Sequence, residues 1–151
     1  MAAPPELVFA LARDLSRWPD LLPHYRAATV ERSEGDAAIV RFIAVRPGIV
    51  ALPVLWRSRT WAEPESLRLH FVHLGGATRG MDVTWRIEAT GRGCRVTIAH
   101  SFPAPRPWAA FIDRVFTRPI AGRTLATFRA IAEAANRANQ LAGPPPADTS
   151  P

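Results

Sequence analysis

The sequence predicts an α+β domain: two short N-terminal helices, a curved antiparallel sheet of six strands, and one long C-terminal helix gripped by the sheet. Three observations carry this. From His24 to Phe102 apolar and polar residues alternate with a period of two, broken only by hairpin-length gaps. From Trp108 onward Phe111, Ile112, Val115, Phe116, Leu125, Phe128, Ile131 and Ala135 fall at helical spacing. Of the 151 residues 48% are apolar, ample for one core and too many for a disordered chain.

Each element has a local reason. Pro4-Pro5 precedes Glu6-Leu-Val-Phe-Ala-Leu-Ala-Arg13, an amphipathic helix with proline where a first turn tolerates it. Asp14-Leu-Ser16 breaks that helix, Ser16 is placed to cap a second one over Trp18 to Leu22, and Pro23 stops it. Strands are expected near 25–33, 37–46, 54–62, 67–74, 80–89 and 92–102. Their connections, among them Glu34-Gly35-Asp36, Gly75-Gly76 and Thr90-Gly91, are short enough for a sequential antiparallel order. Pro103-Ala-Pro105-Arg-Pro107 ends the sheet, and Pro119 should kink or split the long helix. The domain is expected over 4–140, with a Pro-rich tail, 141–151, too polar and proline-rich to pack.

Composition removes several classes. Cys94 is the lone cysteine, so there is no disulfide scaffold. The longest largely apolar run, Gly48 to Trp56, is about half the roughly 20 residues that span a bilayer. Met1 to Glu6 lacks a basic stretch followed by an apolar one, so a cytoplasmic protein is expected. All nineteen cations are arginine, giving a net charge of +6. They are spread from Arg13 to Arg137 without a cluster of interleaved aromatics, which argues against nucleic acid and for a GC-rich codon bias.

Hairpin lengths give a residue-level expectation for the concave face. A loop at 63–66 pairs Trp56 with His73, Ser58 with Phe71 and Thr60 with Leu69; a turn at Thr90-Gly91 pairs Met81 with His100, Val83 with Ile98 and Trp85 with Val96. A connection through the glycines of 75–80 then sets His73 opposite Met81. The resulting rows are Trp56–His73–Met81–His100, Ser58–Phe71–Val83–Ile98 and Thr60–Leu69–Trp85–Val96. Phe111 and Val115, on the apolar stripe of the helix, face them. This is the composition of a small-molecule cavity, mainly apolar with two imidazoles and two hydroxyls.

Two readings stay open for each residue. Phe71, Met81 and Trp85 are either plain core or cavity wall, and Ser58 and Thr60 either ordinary strand residues or polar ligand contacts. His73 and His100 are either satisfied core histidines or acid/base groups. No third His, Cys or carboxylate shares their row, so no metal is expected. Phosphate loops, zinc motifs and nucleophile elbows are absent, so no cofactor is expected either. Cys94 reads as a buried inert thiol.

The opening from Pro4 through Asp14-Leu-Ser-Arg-Trp18-Pro19-Asp-Leu-Leu-Pro23-His24-Tyr25 resembles the START-like superfamily. More narrowly, it resembles the polyketide cyclase/dehydrase and lipid-transport family, which includes coenzyme Q-binding START-like proteins. His73-Leu-Gly75-Gly76-Ala-Thr78-Arg79-Gly80-Met81-Asp-Val83-Thr-Trp85 and the strand ending at His100 add to the likeness, which spans about residues 4 to 138. It implies a helix-grip fold with a seven-stranded sheet. The family's first strand normally lies just before Pro4, where this chain has only Met1-Ala-Ala. The expectation is a missing strand and an exposed edge that favours self-pairing as a homodimer or aggregate.

The resemblance implies a cyclase/aromatase acting on an aromatic polyketide, with His73 and His100 moving protons, Ser58 and Thr60 orienting carbonyls and Arg79 at the cavity mouth. Its rival is a non-catalytic carrier of a lipid or quinone. On the outer face the same registers line up Trp61, Arg68, Arg86 and Arg95, with Arg59 and His70 in the next row. That stripe is either a solvated face or a dock for an acidic carrier protein, the partner the cyclase resemblance suggests.

Overall fold

A computed structural model describes residues 1–46, 52–75, 78–102, 111, 114 and 117–142. Helix α1 (Pro5–Arg13) starts on a proline, has Glu6 in its first turn and Arg13 in its last to complement the helix dipole, and buries Val8, Phe9 and Ala12. A 3₁₀ turn (Leu15–Arg17) leads into the single-turn α2 (Trp18–Leu21). Ser16 does not cap α2 as expected: its hydroxyl donates to Asp14 Oδ1 at 2.6 Å, and the 3₁₀ turn joins the helices without a side-chain cap.

Strands β1 (Tyr25–Glu34), β2 (Ala37–Arg46), β3 (Leu52–Glu63), β4 (Arg68–His73), β5 (Asp82–Thr90) and β6 (Gly93–Ser101) form one antiparallel sheet in sequential order. Helix α3 (Arg118–Ala142) buries Ile120, Thr124, Phe128 and Ala132. Ahead of Arg118 the described residues Arg114 and Thr117 are already π-helical, so Pro119 follows a widened stretch of helix, in keeping with the disturbance expected there. The stretch read as the start of this helix lies outside the described residues except for Phe111, Arg114 and Thr117, and so does the tail beyond Ala142. No described helix is long and apolar enough to cross a membrane.

The β4–β5 register is the expected one: Leu69 faces Trp85, Phe71 faces Val83, and His73 N–H donates to Met81 O at 3.0 Å. The two flanking hairpins are each displaced by two residues. Between β3 and β4 the loop is 64–67, closed by Glu63 opposite Arg68, because Leu67 takes the left-handed conformation (φ 49°) and its N–H bonds Pro64 O. Between β5 and β6 the turn is Gly91-Arg92, closed by Thr90 opposite Gly93. Gly93 (φ 135°) also meets the N-terminus: a Cβ there would lie 2.2 Å from Met1 O, and Met1 exchanges two backbone hydrogen bonds with Cys94.

A displacement of two preserves which face each side chain occupies and changes only its neighbours. His73 therefore lies opposite Ser58 instead of Trp56, and His100 opposite Val83 instead of Met81. The concave rows become Val40–Ser58–His73, Ala38–Thr60–Phe71–Val83–His100 and Ala62–Leu69–Trp85–Ile98. Trp18 sits at the centre, with the rings of Tyr25, Phe42, Phe71, Trp85 and Phe128 all within 5.9 Å of its own and its Nε1–H donating to Ala12 O.

The convex face changes with the register. The expected row of Trp61 with three arginines becomes Glu63–Arg68–Arg86–Thr97, while Trp61 stacks on His70 and Arg95 faces Glu88. Glu31 pairs with Arg41 and Arg57, and Glu34 with Arg32 and Arg59. Arg68 opposite Arg86 is the like-charge contact that remains from the expected stripe.

Candidate ligand cavity

A cavity of about 240 Å³ lies between the concave face and α3. Its wall is aromatic where the sheet meets α2, with Trp18, Tyr25, Phe42, Trp56, Phe71 and Trp85. Met81, Val83 and Ile98 continue the wall along the sheet, and Thr117, Ile120, Ala121 and Thr124 close it from the helix. The polar groups gather at two places. One holds His73, Thr78 and His100; the other holds Tyr25 and Thr124.

At the first place His73 stacks on Trp56 (centroids 5.9 Å apart, 19° between planes), and Trp56 in turn stacks on Phe42. The Nδ1 of His73 is 2.8 Å from Thr78 Oγ1, which fixes the ring's rotation. Burial, and secondarily the neighbouring His100, lowers the pKa of His73 to about 4, so it is neutral at pH 7.

At the second place the hydroxyl of Thr124 donates to Ile120 O at 2.9 Å and lies 2.9 Å from His24 Nε2. Burial, then the nearby Arg123, lowers the pKa of His24 to about 4, and burial raises that of Tyr25.

Of the residues singled out from the sequence, Trp56, Phe71, His73, Met81, Val83, Trp85 and His100 stand on the wall. Ser58 and Thr60 do not. They face the concave side but are covered by their row neighbours; Thr60 donates to Ala38 O at 3.2 Å, and the fully buried Ser58 Oγ has no hydrogen-bond partner. Arg79 is exposed on its loop and off the wall; its neighbour Thr78 takes the wall position. Phe111 is 62% exposed instead of facing the sheet, and Val115 lies outside the described residues.

Sequence reasoning missed Trp18, Tyr25, Phe42 and Thr124 as wall residues. Phe42 was legible from the alternation of Val40, Phe42 and Ala44 in β2. Thr124 was legible as the polar member of the stripe Ile120–Thr124–Phe128.

A curved antiparallel sheet holding a largely apolar cavity against a long C-terminal helix is a helix-grip fold. The chain belongs to the polyketide cyclase/dehydrase and lipid transport family, whose profile matches residues 1–135. A protein assigned as a polyketide cyclase in Streptomyces halstedii is 34% identical over 96 residues, 62% of this chain and 85% of that one. The fold is shared with the Zhui aromatase/cyclase from Streptomyces sp. R1128 (TM-score 0.69, 17% identity, 95% of this chain and 93% of that one). It is shared too with a START superfamily protein from Mycobacterium smegmatis (TM-score 0.57, 15% identity, 91% and 92%).

Proposed function

We propose that this protein binds a compact apolar molecule in the cavity and acts on it as a cofactor-independent polyketide cyclase/aromatase. The observation that carries the reading is a neutral imidazole, held by Thr78 and stacked on Trp56, at one end of an otherwise aromatic cavity. The volume, below the roughly 300–1,000 Å³ of drug-sized pockets, favours a folded compact ligand over a long-chain lipid or quinone.

The chemistry asked of the wall is mostly positional. Aromatic faces fold a poly-β-ketone so that one carbonyl meets one enolisable carbon. With Nδ1–H donating to Thr78, His73 presents the Nε2 lone pair and takes the proton from a carbon between two carbonyls. The enolate attacks the facing carbonyl carbon, a C–C bond forms, and the imidazolium returns its proton to the new alkoxide. His100 discourages the charge on His73, so the imidazolium is short-lived and readily gives up its proton.

Replacing His73 or His100 by Gln should lower turnover of a synthetic poly-β-ketone thioester by about 10²–10⁴-fold while leaving ligand affinity within a few-fold. Unchanged turnover would leave the non-catalytic carrier as the function.

Delivery of the substrate by an acidic carrier protein belongs to the same proposal, with the Arg68–Arg86 contact as the centre of the docking face. Reversing Arg86 to Glu turns a repulsive cross-strand pair into an attractive one, so the fold is not weakened. Delivery by a carrier-bound substrate should fall several-fold and lose salt dependence, with the free thioester turned over as before; equal delivery by both proteins would remove this face from the reading.

A further inference from the structure

Thr60 and Thr124 commit their hydroxyl protons to main-chain carbonyls, Ala38 O at 3.2 Å and Ile120 O at 2.9 Å. Thr78 differs: its Oγ1 lies 2.8 Å from His73 Nδ1, a ring nitrogen that can donate or accept. The backbone holds the two together whichever role each takes. Met81 N–H donates to Thr78 O at 2.9 Å, His73 N–H to Met81 O at 3.0 Å and Gly80 N–H to His73 O at 2.8 Å. Gly80 supplies the left-handed φ of 80° in this turn, and Trp56 stacked on the imidazole keeps its plane.

Two arrangements satisfy the contact. With the ring proton on Nδ1, Thr78 accepts it and Nε2 offers the cavity a lone pair. With the ring proton on Nε2, the Thr78 hydroxyl turns to donate to Nδ1 and Nε2 offers the cavity an N–H. The change needs rotation of the hydroxyl and exchange with solvent water before a ligand enters: one nitrogen takes up a proton and the other releases one. Neither arrangement leaves Nδ1 as a buried group without a partner, the condition that would otherwise decide the tautomer.

We propose that Thr78 is a positioning residue whose hydroxyl, by accepting from or donating to Nδ1, lets His73 meet either a phenolic or enolic hydroxyl or a ketone oxygen at Nε2. The lone-pair arrangement is the one that takes a proton; the N–H arrangement holds a carbonyl. The inference rests on the reading that the cavity takes a compact ketone and its aromatic product, and it deepens that reading. A group of fixed polarity would pair with one of the two and leave the other unpaired.

Long-range 1H–15N NMR of the His73 ring at pH 7, assigned by the signals lost in His73→Gln, reads the tautomer directly. With 2-naphthol bound the proton should sit on Nδ1, and with 1-tetralone, a carbonyl on a similar skeleton, on Nε2. In Thr78→Val the buried Nδ1 loses its partner, and a stranded donor costs more than an unused lone pair, so the proton should stay on Nε2 with either probe. Calorimetry should then show the naphthol-to-tetralone affinity ratio falling by about five- to tenfold, the worth of one neutral hydrogen bond. Thr78→Ser should restore both the switch and the ratio; it lacks the methyl that valine keeps, so packing alone predicts the opposite order. One tautomer with both probes in the unmodified chain would overturn the inference and leave the cavity reading standing, as would a switch that survives in Thr78→Val. Binding of neither probe to the unmodified chain would overturn the cavity reading and this inference with it.

Discussion

Trp18→Ala should destabilise the protein by about 3–5 kcal/mol, the largest effect of any single truncation of its core. The indole is 2% exposed, touches five aromatic rings drawn from β1, β2, β4, β5 and α3, and satisfies its N–H on Ala12 O. The ring thus ties α1 and α2 to both layers of the fold. Its removal leaves a void beside the ligand cavity, enclosed by neighbours that the sheet and α3 hold apart, so little of the loss is recovered by collapse. Against a total stability of about 5–15 kcal/mol the variant should be partly unfolded at 37 °C. Trp18→Phe keeps a ring among the other five and should cost clearly less. Urea unfolding of both variants gives the comparison, and a loss below about 1 kcal/mol for the alanine variant would show that Trp18 is not the keystone described here.

The same residue shows what the sequence made legible. Trp18 was visible as part of a short helix between Ser16 and Pro23, but a four-residue helix has no periodicity from which to read its buried face. The sheet was far more legible, because alternation with a period of two fixes the inward face of each strand even when the pairing slips by two. His73, Met81, Val83, Trp85 and His100 were therefore assigned to the concave side correctly, although two of the three predicted registers were displaced. Both displacements arise at turn residues whose conformation composition does not announce. Leu67 adopts a left-handed φ that favours glycine or asparagine, and Gly93, not Gly91, takes the strained position next to Met1.

Ser58 and Thr60 show the limit of face assignment. Facing inward is not the same as reaching the cavity, and small side chains in a row with Val40, His73 and Phe71 are covered by them. The His24–Thr124 contact joins residues a hundred positions apart, and no local pattern marks such a contact beyond one threonine in an apolar stripe.

Acid should unfold this protein well before its carboxylates titrate. His24 and His73 each have a folded-state pKa of about 4 against an ordinary value of 6.5, and in both cases burial is the first cause. Above pH 6.5 both histidines are neutral in the folded and the unfolded chain, and their contribution to stability is fully present. As the pH falls from 6.5 towards 4, the unfolded chain takes up protons that the folded chain refuses, so stability is lost. The loss ends near pH 4, where the folded protein also accepts them.

Each histidine contributes on the order of 3 kcal/mol over that window, comparable in sum to the whole stability of many domains. Glu34, Glu63 and Glu133, whose pKa values are lowered by hydrogen bonds first of all to Arg32, Ser66 and the Ala2 N–H, add their losses only below about 4.5. Urea titrations at pH 7, 6 and 5 should show stability falling by up to about 2.7 kcal/mol per pH unit as both sites titrate in the unfolded chain. His73→Gln should halve that slope without abolishing it, because His24 retains its share. His24→Gln should do the same, which assigns one proton to the cavity and one to the cluster behind it. A stability unchanged between pH 7 and pH 5 would mean that neither histidine is held neutral. The proton shuttle through His73 would then lose its physical basis.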